Sequence, residues 1–150
     1  IPMCLVADDT LELASRNRFL GIARGSLSFD NMDATLKNMN GDTALMVVAK
    51  PGNLKVLQEL LERSDIDVNH PNENGDTALL LALKYRFLEI AQELSTCKNI
   101  DVNVQNKYGY NALMLASKNG YLEIIRGLLK HDKINVNASN NYGITALMFA

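Results

Sequence analysis

A single phrase recurs along this chain at a fixed step. Gly41-Asp42-Thr43-Ala44-Leu45-Met46 returns as Gly75-Asp76-Thr77-Ala78-Leu79-Leu80, then as Gly109-Tyr110-Asn111-Ala112-Leu113-Met114, and last as Gly143-Ile144-Thr145-Ala146-Leu147-Met148, each 34 residues after the one before. Two further phrases keep the step: Leu54-Lys55-Val56-Leu57, Leu88-Glu89-Ile90-Ala91 and Leu122-Glu123-Ile124-Ile125; and Ile66-Asp67-Val68-Asn69, Ile100-Asp101-Val102-Asn103 and Ile134-Asn135-Val136-Asn137. A period of this size restricts a chain to architectures in which one small unit is copied and stacked.

Stepping back once more from Leu45 reaches Leu11. The stretch Leu11-Glu12-Leu13-Ala14-Ser15-Arg16-Asn17 matches Leu113-Met114-Leu115-Ala116-Ser117-Lys118-Asn119, with Ala7 in place of the leading Gly. The whole chain, 1–150, therefore divides as one domain into a degenerate repeat at about 4–37, repeats at 38–71, 72–105 and 106–139, and a partial one at 140–150.

Each unit reads as turn, helix, turn, helix. Thr43, Thr77, Thr145 and Asn111 precede apolar stretches and are placed to accept backbone N–H bonds at a helix start. Leu45 and Val48, Leu79 and Ala82, and Leu113 and Ala116 lie three apart on one helix face. In the second helix Leu54, Leu57 and Leu61 follow helical spacing, with Leu60 widening the stripe. Asn40-Gly41 and Asn74-Gly75 suit the left-handed conformations of a hairpin-like loop. No unit buries its stripes alone. Stacking aligns Leu45, Leu79, Leu113 and Leu147 into one column and Val56, Ile90 and Ile124 into another, which predicts an all-α solenoid of helix-turn-helix units joined by β-hairpin-like loops.

These phrases resemble the ankyrin repeat over nearly the whole chain. The family's Gly, Thr and Leu are present. Ala44, Ala78, Ala112 and Ala146 stand where Pro is usual, and Met46, Leu80, Met114 and Met148 where His is usual, so apolar packing replaces His-based hydrogen bonds between repeats. Each unit also exceeds the usual length of about 33 by one residue, the addition falling at Arg63-Ser64-Asp65. The resemblance implies a module that binds another protein through fingers and the exposed side of the first helices, with no chemistry of its own.

On that face the positions around the Gly and at the end of the first helix point at a partner. Asp42 in the second repeat, Glu73, Asp76, Lys84 and Tyr85 in the third, Tyr108, Tyr110 and Lys118 in the fourth and Tyr142 in the fifth are the expected partner-binding residues. Four of the five tyrosines fall in this set, and tyrosine offers large contact area at low entropic cost. For Tyr108 and Tyr142, equivalent in successive fingers, packing on one another is an alternative. Tyr85, Tyr110 and Tyr142 are expected to form a row beside Lys84 and Lys118, suited to an extended or helical segment with apolar and acidic side chains.

Other chemistries fit less well. The formal charge is -2 with Lys and Arg scattered, so no basic footprint for nucleic acid is formed. No apolar run nears the roughly 20 residues of a membrane span. Cys4 and Cys97 are far apart and read as reduced thiols, which favours a cytoplasmic setting; with His70 and His131 isolated, no metal or cofactor site is expected. Asp65-Ile66-Asp67-Val68-Asn69 begins like a calcium loop, but His70 stands where Gly is required. Asn137-Ala138-Ser139 fits a glycosylation sequon and reads as a turn. No nucleophile has a base partner, so neither catalysis nor a small-molecule substrate is expected, and the domain reads as a monomer. The alternative is that it is the recognition arm of a larger enzyme or effector. Ile1–Val6 lacks the basic lead of a signal peptide, and the chain is expected to continue past Ala150 with a Gly-turn and a second helix.

One expectation concerns stability. Arg86 occupies the inter-helix position held by Gly52 and Gly120, and Ala91 and Ser95 that of Ile125 and Leu129. Residues 84–98 are therefore expected to exchange their amides faster than 118–130.

Overall fold

A computed structural model describes residues 37–150. The degenerate repeat expected at 4–37 lies outside them apart from Lys37, as does Cys4. Seven short helices follow in order: α1 (Ala44–Val48), α2 (Leu54–Leu61), α3 (Ala78–Lys84), α4 (Leu88–Ser95), α5 (Ala112–Asn119), α6 (Leu122–Leu128) and α7 (Ala146–Phe149). They form two layers. The first helices α1, α3, α5 and α7 contact one another in sequence, and the second helices α2, α4 and α6 do the same behind them. Among the described residues there are no strands, only single bridges at Lys37–Thr43 and Ser139–Thr145.

The helix starts follow the local chemistry. The side chains of Thr43, Thr77 and Asn111 accept from the amides of Met46, Leu80 and Met114 at 3.4, 3.3 and 2.9 Å. Thr145, expected to do the same, makes no such bond. Its helix has one turn, and the Met148 amide donates to the Thr145 carbonyl instead, at 3.1 Å.

Both expected columns exist. Leu45, Leu79 and Leu113 are buried, as are Val56, Ile90 and Ile124. Leu147, the last of its column, is 82 % exposed. In α2 the buried stripe is Val56, Leu57 and Leu60, while Leu54 and Leu61 flank it half-buried. The stripe is thus rotated by about one residue from the expected Leu54–Leu57–Leu61 line, because α2 is wedged between α1 and α4. Met46, Leu80 and Met114 are buried in the core, at the positions where the family's His is usual.

Arg86 adopts φ 63°, the left-handed turn that Gly52 and Gly120 make at the equivalent points. Ala91 and Ser95 are buried, whereas Ile125 is half-buried and Leu129 exposed. Amide exchange in 84–98 is still expected to be faster than in 118–130.

Stability changes test this packing. Leu79 and Leu113 are both buried between their equivalents, and Leu79→Ala and Leu113→Ala are each expected to cost about 2–5 kcal/mol. Arg86→Gly is expected to stabilise by about 0.5–1 kcal/mol through release of left-handed strain. Thermal or urea unfolding reads them.

Candidate functional site: the finger and first-helix face

The fingers are built on an asparagine column. Asn38, Asn72, Asn106 and Asn140 head the four turns at the repeat's own step. In the third finger the Asn72 side-chain carbonyl accepts from the amides of Asn74 and Asp76 at 3.0 Å each. Asn38, Asn106 and Asn140 repeat the pair of bonds to the residues two and four places on. A backbone bond from the residue at the head to the carbonyl four places on closes each turn, as in Asn72 N to Asp76 O at 2.9 Å. The Gly between them takes positive φ, 82° at Gly109. A Cβ there would lie 2.7 Å from the Asn141 nitrogen, so the fingers nest too closely for any side chain.

Successive fingers are joined in two ways. Backbone amides of Glu73, Lys107 and Asn141 donate to the carbonyls of Asn40, Asn74 and Tyr108 at 3.1, 2.9 and 3.0 Å. The amide groups of Asn72 and Asn106 also donate backwards, to the carboxylates of Asp42 and Asp76, each at 2.8 Å. On the opposite edge of the stack the closing Asn of each unit does similar work. Asn69 Nδ2 donates to the Asn99 carbonyl at 2.8 Å and Asn69 Oδ1 accepts from the Asp101 amide at 2.7 Å; Asn103 pairs with Lys133 and Asn135 in the same manner.

This geometry sorts the expected contact residues. Asp76 is 1 % exposed; one oxygen receives Asn106 and the other faces Lys84 Nζ at 3.5 Å. Asp42 is half-buried between Asn38 and Asn72. Both carboxylates hold fingers together. Glu73 is exposed at a finger tip. Tyr85 is 56 % exposed, with Lys84 Nζ 5.8 Å above its ring and Phe87 at 6.0 Å. Tyr110 is half-buried, stacked on Phe149 at 6.0 Å beneath Lys118 at 5.7 Å. Tyr108 and Tyr142 are 49 % and 73 % exposed and form no ring pair with each other among the described residues. A groove of about 400 Å3 runs between the second and third fingers and α1 and α3, lined by Asp42, Asp76, Lys84, Tyr85, Val47 and Phe87 among others. The structure thus brings four of the expected residues to one groove and places Tyr110 with Lys118 in a second cluster. The asparagine column escaped the sequence reading, although its step is visible there.

Several polar residues outside the fingers are engaged locally. Arg63 donates to both oxygens of Asp65 at 2.9 and 2.7 Å, and its hydrogen bond holds that carboxyl below the usual range. Asp67 accepts from the Asn69 amide at 3.0 Å and faces His70 at 3.7 Å. The half-buried Cys97 thiol is pushed up by burial and then by the charge of Glu93. Among the described residues no three metal-binding side chains gather, and no helix is long and apolar enough to cross a membrane.

The family model "Ankyrin repeats (3 copies)" matches residues 11–106 and 88–150. The chain belongs to the ankyrin-repeat family. Ankyrin repeats are generally protein–protein interaction modules, and the fold is typically not catalytic. No curated protein matches the chain.

The division of labour among the acids is testable. Asp76→Ala is expected to destabilise by about 1–3 kcal/mol, since it strands the half-buried Asn106 amide. Glu73→Ala at the exposed tip should stay within about 0.5 kcal/mol. Chemical denaturation compares them.

Proposed function

We propose that this ankyrin stack is a protein-binding scaffold whose partner lies against the fingers and first helices. The observation that carries the reading is the groove between the second and third fingers with Tyr85 and Lys84 at its mouth. An aromatic ring more than half exposed, with a cation above it, presents apolar area, a hydroxyl and positive charge together. Tyr108, Tyr142 and Glu73 extend the same finger surface. Lys118 and Tyr110 flank it in the next repeat. Asp42 and Asp76 contribute by fixing the fingers, and the contact set is therefore the tyrosines, the two lysines and Glu73. The groove is open along its length, which suits a polypeptide segment and not an enclosed small molecule. A cytoplasmic, monomeric protein without catalytic, metal or nucleic-acid sites fits this reading; the cellular setting rests on the wide separation of its two cysteines.

Binding of short random peptides displayed on phage, selected on the domain, tests the reading. Tyr85→Ala is expected to weaken the selected binders by about 1–2 kcal/mol with little change in melting temperature, because the ring is mostly exposed. Lys55→Ala, on the exposed side of α2, is expected to change neither. Binders lost with Lys55→Ala and kept with Tyr85→Ala would place the binding face on the second-helix side.

A further inference from the structure

Among the described residues the finger ladder has one break. In the second and third repeats the residue after the finger Gly is an acid, and its carboxylate receives the amide of the next finger's Asn at 2.8 Å. In the fourth repeat that residue is Tyr110. The next Asn, Asn140, is only 5 % exposed, and its Oδ1 still accepts from the amides of Tyr142 and Ile144 at 2.9 and 3.0 Å. Those two bonds fix which end of the side chain is the amide nitrogen. The Nδ2 group is buried without a hydrogen-bond partner. Burying a donor unpaired costs stability, and native proteins rarely leave one so. The second half of the carboxylate's surroundings is present too. Lys118 stands 34 residues after Lys84, the residue whose ammonium faces Asp76. Lys118 lies over the Tyr110 ring and meets no carboxylate among the described residues.

The geometry points to a receptor for an acidic side chain supplied by a partner protein. An Asp or Glu of the bound segment takes the place that Asp76 holds one repeat earlier, accepting from Asn140 Nδ2 with one oxygen and facing Lys118 Nζ with the other. Tyr110 is the movable wall of this receptor: residue 110 stands where Asp76 meets Asn106, so its ring turns off Phe149 as the carboxylate enters. The finger surface then reads an acid at one point of the segment while Tyr85 and Tyr108 take apolar area. This rests on the binding face proposed above and adds the chemistry of what it recognises.

The same displayed peptides, selected on the 1–150 chain, test it. Binders are expected to share one Asp or Glu. Replacing that acid by Asn or Gln in the peptide, or using Lys118→Met in the protein, should weaken binding about tenfold or more, the worth of a charge-assisted hydrogen bond. Tyr110→Asp supplies the missing acid from within. It should melt above Tyr110→Ala, which loses the same ring contacts, and should lose acid-bearing peptides by a similar factor. Peptides with no common acid, or bound equally by Tyr110→Asp, overturn the receptor, and so does a Tyr110→Asp protein no more stable than Tyr110→Ala. If such peptides still depend on Tyr85, the binding face stands without the receptor. If they ignore Tyr85→Ala and Tyr108→Ala as well, the face itself is refuted. A library that enriches no binder counts against both.

Discussion

The bonds between successive fingers, backbone amide to carbonyl at each of the three steps and asparagine to carboxylate at two of them, set the geometry on which the rest of this structure depends. Asn72 and Asn106 each hold their own turn with one end of the side chain and the previous repeat with the other. A helix pair of five to eight residues per helix cannot sustain itself in water. It becomes stable when a neighbour covers its apolar face, and the fingers fix the register at which that cover forms. The closing asparagines Asn69 and Asn103 secure the opposite edge. Between these two polar seams the core is filled by leucine, isoleucine, valine, methionine and alanine.

The same seams decide which residues are free to meet another molecule. Acids at the finger root are consumed by the ladder, so the face that remains is mainly aromatic and basic, with Glu73 as its exposed acid: Tyr85 under Lys84, Tyr110 under Lys118, and the open rings of Tyr108 and Tyr142. Where Tyr110 replaces the acid, the ladder loses a bond, and the lost stability falls at the edge of the proposed binding face. Local rules that are broken at a cost tend to mark functional positions.

Much of the fold was legible because it depends on residues close in sequence or repeated at a fixed step. The columns through Leu79 and Ile90, the caps at Thr43, Thr77 and Asn111, and the left-handed turn at Arg86 all follow from spacing and residue type. The stripe of α2 was misplaced by about one position because its burial is set by α4, which spacing within α2 does not report. Asp42 and Asp76 looked like surface acids for a related reason. Their partners lie 30 residues ahead, and composition gives no hint that an exposed-looking turn is enclosed by the next one. The tyrosines were readable as surface residues from position alone, but their pairing with Phe87 and Phe149 was not.

Amide hydrogen exchange measured residue by residue tests the central claim most directly. Glu73, Lys107 and Asn141 are exposed side chains at finger tips, yet their backbone amides donate to the neighbouring finger. If the finger ladder couples the repeats, these three amides exchange far more slowly than that of Ser64, in the exposed turn after α2, and are protected together. Exchange of all three as fast as Ser64 would contradict the account, because the repeats would then be held by their apolar cores alone.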